Sequence, residues 1–203
     1  GFDEFFGTSG CATAQPPYGF IQGNRMTEIP TVRKGDRELG GRDGFMVPGW
    51  KHKNVDPVFT EKAIGFIEER AREPLVPFFL YLSASSPHEP CIESAVPEFA
   101  RGMSQAGPRG DMVWLFDWMV GEVMGVLERT GMTNNTLIVV TSDNGALPGC
   151  LGRTYGHNSC GSWRGYKGYI WDGGHREPFI MRWPDVIEPK SKSSQLVGLQ
   201  DFM

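Results

Sequence analysis

Apolar residues recur at helical spacing in two stretches of this chain and gather into short runs in three others. From Asp56 onward, Phe59, Ala63, Phe66 and Ile67 fall on one face of a helix. Asp56-Pro57 opens it, because Asp can cap and Pro suits the first helical position. Pro74 and Pro77 close that segment, and Phe78-Phe-Leu-Tyr-Leu-Ser83 then reads as a strand. Residues 91–110 are irregular. A second helix is predicted from about Asp111 to Arg129, with Val113, Phe116, Val120, Val123 and Leu127 as its apolar stripe. Gly131 stands where a helix-closing residue in the left-handed conformation belongs. The run 136–142, mostly apolar or β-branched, reads as a buried strand, and 179–184 as another. The order helix, strand, helix, strand predicts an α/β fold with a largely parallel mixed sheet and helices on both faces.

Before the first helix this pattern dissolves. Residues 8–55 are rich in Gly, Pro and polar residues, with Pro16-Pro17 and Gly40-Gly41 as breakers. So long an excursion either walls a substrate cleft or is a surface insertion. The chain has 203 residues, enough for one domain with a core. A net charge of −4 without a dense basic run argues against nucleic acid as a partner. No uninterrupted apolar run is long enough to span a membrane. The cysteines, Cys11, Cys91, Cys150 and Cys160, are too few and scattered for a disulfide scaffold. Cys150 and Cys160, in one loop, are the pair open to a local disulfide. A zinc set of Cys150, His157 and Cys160 fits no common ligand spacing.

The chemistry centres on Asp143-Asn144-Gly145, at the end of the strand 136–142. Ligands of open α/β sheets sit just past the carboxyl ends of strands. A carboxylate beside an amide oxygen there suits a hard cation such as Ca²⁺; the tripeptide is equally a common turn. Upstream, the strand 78–83 ends in Ser86-Pro87-His88-Glu89-Pro90, where prolines stiffen the backbone on both sides of the histidine. Downstream come Arg164-Gly-Tyr-Lys167-Gly168 and Trp171-Asp-Gly-Gly-His175-Arg176-Glu177-Pro178.

This order of motifs resembles the sulfatase family: Pro-His-x-Pro after one strand, Ser-Asp-Asn-Gly after another, Arg-Gly-x-Lys-Gly, then Gly-Gly-x-Arg-x-Pro before a strand. The opening Gly1-Phe-Asp-Glu-Phe-Phe-Gly7 is similar to the segment that follows that family's Gly-Lys-Trp-His motif. The resemblance runs the length of the chain and implies an alkaline phosphatase-like α/β domain, of which this is a central part, 1–203. It implies hydrolysis of sulfate esters of a small molecule or glycan, with one Ca²⁺ ion. Asp143 and Asn144 would be ligands of that ion, Lys167 would contact the sulfate and the leaving oxygen, and His88 would touch the sulfate or assist the leaving group. His157, with Arg153, lies in the loop that would border the substrate. Arg164 and Arg176 are expected to tie loops together. Export or a lysosomal location is the family expectation.

The family nucleophile is a formylglycine made from Cys or Ser in a Cys/Ser-x-Pro/Ala-x-Arg motif. Cys160-Gly-Ser-Trp-Arg164 comes nearest, but it has Ser at the third position and follows the metal motif instead of preceding it, so it reads as a coincidental match. The nucleophile and the remaining metal ligands are therefore expected outside these residues. Two rivals stand. One is a phosphodiesterase or phosphomutase of the same superfamily, which places a His after the strand-end Asp to hold a softer metal. The other is a non-catalytic, sugar-binding relative.

Overall fold

The computed structural model describes residues 1–34, 41–150 and 152–202. Gly40 of the predicted Gly40-Gly41 break lies outside them. The excursion before the first helix is not a plain loop. It folds into β1 (Phe6–Gly7), β2 (Ile21–Gln22) and β3 (Arg25–Met26), an antiparallel meander, and a second pair, β4 (Val32–Arg33) and β5 (Phe45–Met46). Tyr18 anchors it: its ring is buried and its hydroxyl donates to the Arg42 carbonyl. Aromatic contacts of Phe6 and Phe20 with Phe59 fasten the meander to the first helix.

That helix, α1 (Val55–Arg70), starts one residue before Asp56 and buries Val55, Thr60, Ala63 and Ile67. Asp56 is not its cap. The carboxylate is buried and accepts the backbone N–H groups of Ser85 (2.6 Å) and Ser86 (2.8 Å). Burial pushes its carboxyl up while those bonds pull it down. Asp111 repeats the arrangement in the first turns of α2 (Gly107–Arg129), taking the amides of Gly102 and Ser104. Each aspartate thus pins an irregular loop to a helix. We predict that Asp56→Ala orphans two amides at about 1–3 kcal/mol each, visible as faster hydrogen exchange at Ser85 and Ser86. Unchanged protection there would show that the loop is held by other contacts.

α2 begins four residues before the predicted start, and its buried stripe is Met112, Leu115, Met119, Val126 and Leu127. Val113 of the predicted stripe is exposed. The helix is apolar around much of its circumference, so spacing alone did not choose the face. It serves two cores. Met112 and Leu115 pack with Ala95, Val96 and Ala100 on the short turns Glu93–Ala95 and Glu98–Ala100. Val126 and Leu127 pack with Ile67 of α1. Gly131 closes the helix as expected. It adopts φ 72°, its amide bonds to Glu128, and the Met132 amide bonds to Leu127. This is the paired-bond ending that a left-handed residue permits.

After α2 come β6 (Ile138–Thr141), α3 (Asp172–His175) and β7 (Phe179–Arg182). The architecture mixes helices and strands as expected, but the ladder between β6 and β7 is antiparallel. The long connection through α3 brings the chain back in the reverse direction. Residues 78–83 are extended and alternate between covered and exposed, yet form no ladder among the described residues. Phe78 and Leu80 lie against the same α1–α2 core as Ile138. Phe79 and Tyr81 face outward, each 66% exposed. The disulfide joins Cys91 to Cys150, 59 residues apart, and not Cys150 to Cys160. The loops after 78–83 and after β6 meet in space, whereas Cys160 is buried against Ala146 and Tyr166.

Candidate functional site

The residues singled out in the sequence lie in the loop after residues 78–83 and in the long connection between β6 and α3. Asp143 is exposed and Asn144 half-buried, immediately past β6. The backbone beyond them is held by three bonds: Gly145 N–H to Gly174 O at 2.9 Å, Lys167 N–H to Ala146 O at 3.0 Å, and Gly173 N–H to Arg164 O at 2.8 Å. These bonds set the segment carrying Lys167 against the end of β6. The approach is close enough that a Cβ on Gly145 would lie 2.0 Å from the Gly173 carbonyl oxygen. Glycine in both motifs is thus required by backbone contact, not by a turn alone. Arg164 stacks on Trp171 and Arg176 on Trp163, at 3.8 and 4.2 Å from the ring centres. These stacks tie the loop 163–176 together, which is the structural role expected of both arginines.

The β6–β7 register sets Thr141 opposite Phe179. Beyond this ladder Glu177 lies near enough to Asp143 for their charges to interact. Burial, then repulsion from Asp143, pushes the Glu177 carboxyl up, while Arg109 and His175 pull it down. Glu177 therefore adds a second carboxylate beside Asp143. Glu177 stands at the variable position of its motif, and no local signal marks it.

Asp143 and Asn144 suit a hard cation by donor type. The Asn144 amide nitrogen donates to Gly145 O at 3.1 Å, which leaves its side-chain oxygen as the acceptor for a metal. Among the described residues no group of three or more His, Cys, Asp or Glu is placed to hold a metal.

His88 sits in the loop 85–90 held by Asp56. Its amide bonds to Ser85 O and its Nδ1 lies 3.0 Å from Glu89 O. The same Nδ1 is 3.5 Å from Cys11 Sγ, contributed by the excursion 77 residues upstream. This contact raises the proton affinity of His88, while burial and the positive charge of Lys167 lower it. Lys167 is therefore near enough to be felt at His88. Arg109, on α2, braces this loop from the other side, donating to Pro87 O (3.1 Å) and Ser159 Oγ (2.9 Å). His157 is exposed. With Ser104, Arg109, Val113 and Ser159 it lines an open cavity of about 320 Å³. Cys160, in the coincidental nucleophile match, is buried, with Sγ 3.5 Å from Gly173 O. Cys150 is in the disulfide, so the zinc reading loses a ligand.

Lys167 is thus felt at His88, and Asp143 at Glu177. The sulfatase family model matches residues 1–203. An N-acetylgalactosamine-6-O-sulfatase of Bacteroides thetaiotaomicron is 34% identical over 178 residues, covering 85% of this chain and 34% of that protein. The mouse N-acetylgalactosamine-6-sulfatase is 33% identical, covering 100% of this chain and 37% of its own. A solved structure from work on the metabolism of multiple glycosaminoglycans by Bacteroides thetaiotaomicron superposes with a TM-score of 0.78 and 27% identity, over 93% of this chain and 47% of the other. The chain spans about a third of the length of the curated relatives it matches. With the five ordered motifs, these likenesses establish that the chain belongs to the sulfatase family and carries part of its alkaline phosphatase-like α/β fold.

Proposed function

We propose that this chain is the central part of the catalytic α/β domain of a longer protein that hydrolyses sulfate esters. The observation that supports the reading is that backbone bonds set the Lys167 segment against the residues just past Asp143, while the Cys91–Cys150 disulfide ties the stretch after His88 to the same connection. The surface supports the partial-domain reading. Its exposed area is 13497 Å², against about 9,500 Å² for a compact monomer of this mass. Phe79, Tyr81, Ile180 and Met181 lie among the exposed large apolar residues, as a face made to be covered would have them.

On this reading Lys167 holds the sulfate and stabilises charge that grows on the bridging oxygen as the S–O bond breaks. His88 holds a proton for the leaving oxygen. Asp143 and Asn144 would hold a Ca²⁺ ion, which supplies charge neutralisation to the sulfate oxygens when bound. Asn144, where the phosphodiesterase rival places a histidine, favours the sulfatase. The nucleophile lies outside these residues. Two curated relatives act on N-acetylgalactosamine 6-sulfate by name, which favours a sulfated sugar as substrate. His157 and Arg109 would border that sugar.

The test is made on the full-length protein carrying this chain. It should release sulfate from 4-nitrophenyl sulfate and from N-acetylgalactosamine 6-sulfate, and the 203-residue chain alone should not. His88→Ala is the sharper probe. It should slow the sugar sulfate more than the activated aryl ester, because a good leaving group needs little protonation. Preference for a phosphodiester with bound zinc would overturn the reading, as would sugar binding without turnover. Turnover by the short chain that disappears in Cys160→Ala would move the nucleophile to Cys160.

A further inference from the structure

Cys11 has no part in the activity derived above, and nothing in its sequence surroundings marks it. In the fold it is half-buried against His88, brought there by the excursion that precedes α1. Its sulfur has two neighbours able to donate, His88 Nδ1 at 3.5 Å and the Thr13 amide, and it lies 3.2 Å from the Thr13 hydroxyl. Thr13 is buried, and its hydroxyl proton goes to Glu89 O at 2.9 Å, next to the histidine. Lys34 in turn donates to Thr13 O at 2.8 Å, so the turn 11–15 is fixed from behind. A second thiol could not replace this one, since Cys160 is buried elsewhere and Cys91 and Cys150 are bonded to each other.

We propose that Cys11 is a positioning residue for His88: its thiolate and the His88 imidazolium form a pair that fixes the ring through Nδ1 and keeps Nε2 protonated toward the sulfate ester. This rests on the sulfatase reading for its purpose, though not for its existence. With Nδ1 shared between Cys11 Sγ and Glu89 O, Nε2 is the nitrogen left without a hydrogen-bond partner among the described residues. A thiolate beside an imidazolium is a charge-assisted contact, stronger than its neutral counterpart. Burial alone would raise the Cys11 thiol, but the bonds from His88 and Thr13 outweigh it and bring the thiol from 9.0 to about 6. His88 moves the other way, above 6.5. The pair is thus present from about pH 6 up to the raised value of His88, and is lost on either side. The charged groups felt at His88 are Cys11, which favours the imidazolium, and Lys167, which opposes it. Arg109 holds the neighbouring Pro87 carbonyl, and Asp56 holds the Ser85 and Ser86 amides.

The test is the rate at which iodoacetamide alkylates Cys11 in the full-length protein, followed against pH with the label located by mass spectrometry. The midpoint should lie near 6. His88→Asn should move it up toward the ordinary thiol value of about 8.5, and the melting temperature of that variant is checked to confirm folding. An ordinary midpoint in the parent, or one that ignores His88→Asn, overturns the pair. Cys11→Ser, which keeps the shape and removes the charge, should shift the alkaline limb of kcat/KM to lower pH. An unchanged limb in an active enzyme overturns the positioning role and leaves the sulfatase reading standing. A depressed, His88-dependent thiol in a protein that turns over no sulfate ester overturns the role and the sulfatase reading together, and leaves the pair.

Discussion

Lys167→Ala in the full-length protein should lower kcat by roughly 10²–10³, the scale on which one preorganised electrostatic stabiliser acts. The fall follows from where the backbone puts this lysine. The Lys167 amide is bonded to Ala146 O, three residues past Asp143, so the side chain starts from the floor of the proposed sulfate site. A compact ammonium meets a tetrahedral anion as a point charge. Lys167→Arg should therefore recover little, since a planar guanidinium needs a different approach. A second readout separates this role from simple packing. Lys167 holds the proton affinity of His88 down. Its removal should move the alkaline limb of the pH profile to higher pH, opposite to the shift expected for Cys11→Ser. Parental kcat/KM on both an aryl sulfate and a sugar sulfate would show that Lys167 is not at the site.

Asp143→Ala should lose bound calcium and activity together, measured by metal analysis of the purified protein beside turnover. Asp143 is the charged ligand proposed from this chain, and Asn144 offers only a neutral oxygen. Zinc in place of calcium, unaffected by the substitution, would favour a phosphodiesterase over a sulfatase.

Short-range patterns carried much of this protein into the sequence. The Gly131 helix ending was legible because a left-handed residue after an apolar stripe has few alternatives. The strand 138–141 was legible from its β-branched run, and the site from motifs whose residues are neighbours in the chain. Their meeting was implied by family resemblance, and the backbone bonds among residues 145–146, 164–167 and 173–174 give it a physical cause.

Other features depend on contacts between distant segments, which spacing does not encode. The buried face of α2 was decided by two cores, one from residues 95–100 and one from α1, pressing on a helix apolar over much of its surface. Asp56 reads locally as a cap, yet the loop at 85–86 claims its carboxylate. Cys150 pairs with Cys91 because two strand-end loops meet, although Cys160 is nearer in sequence. Glu177 comes near Asp143, and Cys11 near His88, only through contacts between segments distant in sequence. Local sequence determined which segments are helical or extended and which residue types stand at their ends. The tertiary structure decided which of those ends share their charges, because a pKa, a disulfide or a buried carboxylate is set by what lies across space and not by what lies alongside in the chain.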